Sequence, residues 1–291
     1  MAVQIAVASG KGGTGKTTVS AQLFRLLNQE KLGQALLADC DVEEPNDLLF
    51  FPDAKLDRSF QVKQEIPFID TSRCTFCRKC SDYCEFNAIV VIPPAGFAEV
   101  NSGLCHSCGA CSVACQDDAI RVEDQSVGMI TEYRDKSGNR LIEGRLNIGS
   151  AMQTLVIRTV KRQVKEVEQI VILDAPPGSS CPVVETIAGS DFVLLVSEPT
   201  PFGLHDLKIL VELTREMGLP FGVIVNKAGL GDRAIYDYLE QEKIELIGEI
   251  PFSKSYAAHY AIADLFNQTP PEIEAAHRDI YVKLQNKGLL R

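Results

Sequence analysis

Two stretches of the 291-residue chain combine residue types and spacing that can do chemistry. The first is Ser9-Gly10-Lys11-Gly12-Gly13-Thr14-Gly15-Lys16-Thr17-Thr18. Its glycines lack Cβ and can take positive φ, so the backbone can wrap closely round a triphosphate. Amides of such a loop, and of a first helical turn behind it, point at phosphates where the helix dipole also favours negative charge. In that setting Lys16 adds a point charge at the β- and γ-phosphates, and the Thr17 hydroxyl ligates Mg²⁺. The loop follows an apolar run from Gln4 to Ala8 and precedes helical spacing at Leu23, Leu26 and Leu27. Strand, glycine turn and helix start in that order read as a nucleotide site, not a chance glycine-rich turn.

The second stretch holds eight of the ten cysteines. Cys74, Cys77, Cys80 and Cys84 are echoed 31 residues later by Cys105, Cys108, Cys111 and Cys115. Each copy follows a short strand-like segment (residues 68–70 and 98–100) and precedes an Ala-Ile pair, at Ala88-Ile89 and Ala119-Ile120. Clustered cysteines in an intracellular chain point to metal, not to disulfides. Two runs of Cys-x2-Cys-x2-Cys-x3-Cys have the bacterial two-cluster ferredoxin spacing, in which the fourth cysteine reaches the other cluster. By that rule Cys74, Cys77, Cys80 and Cys115 hold one [4Fe–4S] cluster, and Cys105, Cys108, Cys111 and Cys84 hold the second. Zinc is the competing occupant, but its sites take ligands as separated pairs. Glu85 and Gln116 stand where the usual run has proline, which alters the turn and not the ligands. A unit of about 60 residues buries too little apolar surface to stand alone, so bound clusters are expected to supply folding energy. Two neighbouring clusters suit electron relay, with a structural role for both as the alternative.

These groups need a scaffold. Apolar runs at residues 34–38, 170–173, 192–196, 221–225 and 246–250 read as buried strands. Helical stretches at about 205–217 and 234–241 separate the later ones, and residues 154–168 carry Leu155, Val156, Thr159, Val160, Gln163 and Val167 along one side. Such alternation gives an α/β fold with a doubly wound, mostly parallel sheet. Residues 128–133 and 140–144 flank a glycine-containing loop and read as a β-hairpin. Residues 50–64 read as loop or short irregular elements. The last helix carries Ile273, Ala276, Ile280 and Leu284 on one face, a packing stripe and not a membrane anchor, because its other face is not strongly basic. Residues 1–64 and 126–291 are therefore expected to form one P-loop α/β domain, with residues 65–125 inserted as a small α+β ferredoxin unit.

The composition fits an ordinary soluble protein, with 45% apolar and 23% charged residues. A net charge of −10 argues against a nucleic-acid-binding surface, which would need a basic patch. No run reaches the ~18 apolar residues of a transmembrane segment. The first strand feeds the phosphate loop within ten residues of Met1, so no cleaved signal is expected and the cytoplasm is the expected location.

The chain resembles the deviant-Walker P-loop ATPases that include MinD, ParA, Mrp and the nitrogenase iron protein, and within them MinD-superfamily members carrying an inserted ferredoxin domain. The segment Lys11 to Thr18 matches their Lys-Gly-Gly-x-Gly-Lys-Thr-Thr pattern. The resemblance implies a dimer, with a second copy or a paralogue, in which Lys11 reaches the partner's nucleotide. It implies that Asp41 of the Asp39-x-Asp41 segment orients the attacking water, with Asp39 near Mg²⁺. It also implies that Asp174 holds Mg²⁺ through water, that Gly178 senses the γ-phosphate, and that Asn226 contacts adenine. Lys11, Lys16 and Asp41 are thus the expected catalytic residues. Gly10, Gly12, Gly13, Thr14, Gly15, Lys16, Thr17, Thr18 and Asn226 are expected to bind ATP or ADP, and Thr17, Asp39 and Asp174 to bind Mg²⁺. The segment from Ser197 to Thr200 matches the group with no assigned chemistry.

Cys181 lies seven residues after Asp174, where the nitrogenase iron protein places a ligand of a subunit-bridging cluster. No cysteine falls between Cys115 and Cys181 to supply the second ligand, so core packing is the favoured reading for Cys181, and also for Cys40. His106, His205, His259 and His277 form no metal-ligand spacing. The leading expectation is an ATP-dependent switch coupled to an iron–sulfur electron carrier, acting on a redox or assembly partner the sequence does not name. The alternatives are a positioning or assembly ATPase with structural or regulatory clusters, and an iron–sulfur cluster carrier.

Overall fold

Strands buried along their whole length set the frame. In the computed structural model, which describes residues 2–30, 35–164 and 169–290, strands β2 (Ala35–Asp39), β8 (Ile170–Asp174) and β9 (Phe192–Ser197) are buried at every position. Near-continuous runs of Val, Ile and Leu are what parallel strands covered on both faces require. With β1 (Val3–Ala8), β10 (Phe221–Ala228) and β11 (Leu246–Pro251) they pair in parallel. Three further strands, β3 (Lys55–Ile69), β6 (Ile120–Arg134) and β7 (Arg140–Leu146), complete a nine-stranded sheet of order β11-β10-β9-β1-β8-β2-β7-β6-β3. β6 and β7 are joined by the expected hairpin, whose loop closes with Asp135 N–H donating to the Asn139 carbonyl at 3.0 Å.

The chain divides into two compact units. One is Met1–Phe60, Ile130–Arg145 and Thr154–Arg291, and the other is Gln61–Met129 and Leu146–Gln153. The expected boundaries at 64/65 and 125/126 fall inside β3 and β6, strands that begin in one unit and end in the other.

In the larger unit, α1 (Lys16–Glu30) buries Phe24, Leu26 and Leu27, and α9 (Pro271–Asn286) buries Ile273, Ile280 and Leu284, all in one core cluster. The helix expected at 234–241 is α7 (Ala234–Gln241), and α6 (Pro201–Glu216) starts earlier than expected, where the Thr200 hydroxyl caps it by accepting from Gly203 N–H. α4 (Gln153–Lys161) is shorter than its expected range of 154–168. Val167 lies outside the described residues, as does Gln34, the expected first residue of β2. Among the described residues, no helix is long and apolar enough to cross a membrane.

One expectation is overturned. Residues 50–64 are not a loop: a 3-10 turn (Asp47–Phe50) leads into the fifteen-residue strand β3. β3 is an end strand of the sheet, exposed from Lys55 to Ser59, and only from Val62 does burial alternate, with Val62 and Gln64 inside and Lys63 and Glu65 outside. A wet edge strand needs charge more than apolar content, so it lacks the usual sequence mark. Two short helices also went unanticipated: α5 (Cys181–Ile187) and α8 (Lys254–Ala261).

The smaller unit has a two-stranded antiparallel sheet, β4 (Ile89–Ile92) with β5 (Phe97–Val100), and two one-turn helices, α2 (Lys79–Asp82) and α3 (Ala110–Ala114). Its core cluster is Ile69, Cys80, Ile89, Val91 and Cys111, so two of its five buried members are cysteines.

Two buried groups give testable consequences. Glu132, with no exposed surface, accepts from Arg58 and from Arg140 Nη2 at 2.7 Å, binding β3, β6 and β7 together. Truncating one member of a buried ionic cluster leaves uncompensated charge, so Glu132→Ala should destabilise the larger unit by about 3–5 kcal/mol in denaturant unfolding. His277 is buried and its pKa is pushed down to about 4 by loss of solvation. Being depressed, it leaves stability fully present above the unfolded value of 6.5 and removes it as pH falls toward 4, because the unfolded chain binds the extra proton. His277→Leu should flatten the pH dependence of unfolding in that window by up to about 1.4 kcal/mol per pH unit.

Candidate functional site

The phosphate loop leaves the carboxyl end of β1 between β8 and β9, the place where open α/β sheets bind ligands. Gly13 and Gly15 take φ of +77° and +95°. Gly15 also permits a close approach: a Cβ there would stand 2.0 Å from Asn226 Nδ2, which donates to the Thr14 carbonyl at 2.6 Å. Asn226, at the end of β10, thus fastens the loop. Lys227 beside it donates to the Gly13 carbonyl at 2.7 Å. The loop opens onto a cavity of about 410 Å³ lined by residues 11–18, Asp41, Glu44, Asn46, Asn226 and, from the far side, Phe252, Tyr256 and Tyr260.

The floor is a cluster of buried charge. Asp39 and Asp174 are register partners at the ends of β2 and β8. Lys16 Nζ donates to Asp174 Oδ2 at 2.8 Å, Thr17 Oγ1 to the same oxygen at 2.9 Å, and Ser20 Oγ to Oδ1 at 2.7 Å. Burial works against the charge on Lys16, but the carboxylates of Asp174 and, less strongly, Asp39 and Asp41 together more than offset it and hold the ammonium above its ordinary value. Asp39 accepts from the backbone N–H groups of Asp41, Asn46 and Asp47 at 3.0, 2.8 and 3.0 Å, so it anchors the loop carrying Asp41. Burial, then the neighbouring Asp174, raises Asp39 to about 7, and burial raises Asp41 to about 6. The Thr17 hydroxyl beside two buried carboxylates is an all-oxygen donor set suited to a hard cation such as Mg²⁺. Gly178 N–H donates to the Ser9 carbonyl at 2.9 Å.

Several residues of the site carried no role in the sequence reading. Lys11 pairs with Glu198 of its own chain, and Glu198 also accepts from Lys227 at 2.9 Å. Glu198 sits in the segment whose chemistry was left blank, so only its family match marked it. Asp47 joins Asp39 and Asp174, with one oxygen of each within 4.8 Å of the others; its mark was an unusual density of acids from Asp39 onward. Tyr256 and Tyr260 stand one turn apart on α8, behind a Ser253 cap that the sequence displays.

Eight cysteines gather in two groups of four. One cavity is lined by Cys74, Cys77, Cys80 and Cys115, and another by Cys84, Cys105, Cys108 and Cys111. The backbone repeats as well. Phe76, Arg78 and Asn87 take φ of 56°, 66° and 51°, and the residues 31 positions later, Ser107, Gly109 and Asp118, take 52°, 74° and 49°. Amides donate to sulfur at matching places: Phe76 to Cys74 (3.4 Å) and Ala88 to Cys84 (3.3 Å), then Ser107 to Cys105 (3.5 Å) and Ala119 to Cys115 (3.3 Å). Such bonds stabilise sulfur as thiolate, the metal-binding form. Among the described residues, one carboxylate oxygen from each of Asp39, Asp47 and Asp174 meets the 4.8 Å mutual spacing of a single-ion site.

Cys181 departs from expectation. It is exposed at the start of α5, because Val183 and Ile187 take the core-facing positions of that short helix. Cys40 is fully buried, in line with packing.

Comparison with known proteins agrees with this geometry. An uncharacterized protein of Methanocaldococcus jannaschii is 31% identical over 284 residues, spanning 97% of this chain and 96% of its own. The septum site-determining protein MinD of Pyrococcus horikoshii, solved with Mg-ADP, superposes with a TM-score of 0.61 at 16% identity, covering 99% of this chain and 98% of that one. At that identity the likeness concerns the fold alone. A ferredoxin-type protein of Escherichia coli, NapF, is 42% identical over 50 residues, 16% of this chain and 30% of its own. The model of the CobQ/CobB/MinD/ParA nucleotide-binding domain matches residues 5–262. With the loop, the buried Lys16–Asp174 pair and the sheet order in place, the chain belongs to the CobQ/CobB/MinD/ParA family of nucleotide-binding domains.

Proposed function

We propose that the chain is a Mg²⁺-dependent ATPase, converting ATP and water to ADP and phosphate, whose nucleotide state controls an iron–sulfur electron carrier in the inserted unit. The observation that carries this reading is the order of elements after the nucleotide floor. The loop anchored on Asp39 passes through Asp47 into the 3-10 turn and, after the four residues 51–54, into β3, which ends five residues before Cys74. One strand separates the segment carrying Asp41, the residue that would orient the attacking water, from the first cluster ligand.

The residues divide the work by position. Backbone amides of residues 12–18 cradle the phosphates, and Lys16 moves its charge from Asp174 alone to the β- and γ-oxygens. Thr17, with Asp39 and Asp174 behind it, holds Mg²⁺, which when bound neutralises phosphate charge. Asp41, at the cavity wall and raised to about 6, orients the attacking water and accepts its proton. Asn226 contributes as a clamp on the loop and through its place on the cavity wall. Lys11 reaches the nucleotide of a second subunit, a copy or a paralogue, once it leaves Glu198.

In the inserted unit Cys74, Cys77, Cys80 and Cys115 hold one [4Fe–4S] cluster and Cys84, Cys105, Cys108 and Cys111 the other. The clusters supply one-electron transfer. Cys77 and Cys108 are exposed, which leaves one side of each cavity open to a redox partner.

Three outcomes follow. Asp41→Asn should lower ATP hydrolysis by about 10²–10⁴-fold while leaving nucleotide binding within a few-fold, measured by phosphate release and equilibrium titration. Cys80→Ser or iron chelation should expose residues 61–129 to limited proteolysis and leave the larger unit's thermal transition in place, since the small unit's core contains its ligands. The cluster midpoint potential, or the rate of partner reduction, should differ between the ATP-bound, ADP-bound and nucleotide-free states under anoxia; identical values in all three would sink the coupling.

A further inference from the structure

Asp47 is the least satisfied charged group in the larger unit's site. It opens the 3-10 turn before β3 and is 3% exposed. Neither oxygen of its carboxylate has a hydrogen-bond partner. Its neighbours differ: Asp39 accepts three backbone N–H groups, and Asp174 accepts from Lys16, Thr17 and Ser20. A buried carboxylate without partners is costly, and such groups are normally paired or bound to metal. Its oxygen lies within 4.8 Å of oxygens from both Asp39 and Asp174.

The charge balance names the missing partner. Three carboxylates converge, and Lys16 is the ammonium bonded within the group. Two negative charges remain, the complement of one divalent cation. Mutual oxygen spacings of this size suit metal–oxygen distances of about 2.0–2.6 Å, those of Mg²⁺ and Ca²⁺. The phosphate-loop pattern does not supply this third carboxylate. Nor does a bound nucleotide explain it, because the trio lies beneath the loop and is buried without one.

We infer that Asp39, Asp47 and Asp174 form a divalent-cation site that fills before nucleotide binds, with Asp47 as its dedicated ligand. The site deepens the ATPase reading, since it shares Asp39 and Asp174, but its occupancy does not depend on hydrolysis. A preloaded cation would neutralise the floor and leave Lys16 free to turn to incoming phosphates. The competing account is that the carboxylates carry protons instead.

The test is Mn²⁺ titration of the full-length, nucleotide-free protein under anoxia, following loss of the free-ion EPR signal. A single Mn²⁺ retained per chain, displaced by Mg²⁺, is expected. Asp47→Asn should weaken retention about tenfold or more, and the rise in melting temperature that Mn²⁺ gives the parent should vanish. Should Asp47→Asn fail to fold, the parent titration decides alone: no retention without nucleotide overturns the inference. Equal retention by a folded Asp47→Asn variant also overturns it. Retention that begins only with added ADP or ATP overturns it while the ATPase reading stands. Retention by a protein that never hydrolyses ATP upholds the site and removes that reading.

Discussion

Negative charge held out of water at the ends of β2 and β8 is the constraint on which the nucleotide unit depends. The parallel register puts Asp39 beside Asp174, and both strands are buried throughout. Ions in such surroundings interact strongly and are costly when unbalanced. Lys16 must therefore lie inside the group, which fixes the entry of α1 and the shape of the glycine loop before it. The backbone amides of Asp41, Asn46 and Asp47 must turn inward to Asp39, which fixes the following loop. The most polar place in the unit thus sets its geometry as firmly as the apolar core does.

The glycine loop, the buried strands and the cysteine repeat were legible because each is a local pattern with a physical period. Continuous Val, Ile and Leu runs mark doubly covered strands, and fixed cysteine offsets mark residues that converge on shared cavities. β3 was not legible, since this end strand is exposed from Lys55 to Ser59 and carries no alternation there. The bounds of the inserted unit share that cause, because continuous strands carry the chain across them.

At the site, what the sequence hid was partnership across long separations. Glu198 and Lys11 are 187 positions apart, and Asn226 and Thr14 are 212 apart. No window of sequence contains either pair. Asp47 was passed over for a different reason: its chemistry comes from having no partner, which only burial reveals. Cys181 misled because a small thiol is equally at home in a core or on a helix end, and α5 gave its inward positions to Val183 and Ile187.

The smaller unit is written twice but built once. Each cysteine cavity draws three residues from one copy of the repeat and the fourth from the other, with Cys115 crossing one way and Cys84 the other. Deleting either copy would strip a wall from both cavities. The repeat is therefore not two spare modules but an interlock, in which a change in one copy is answerable to the other.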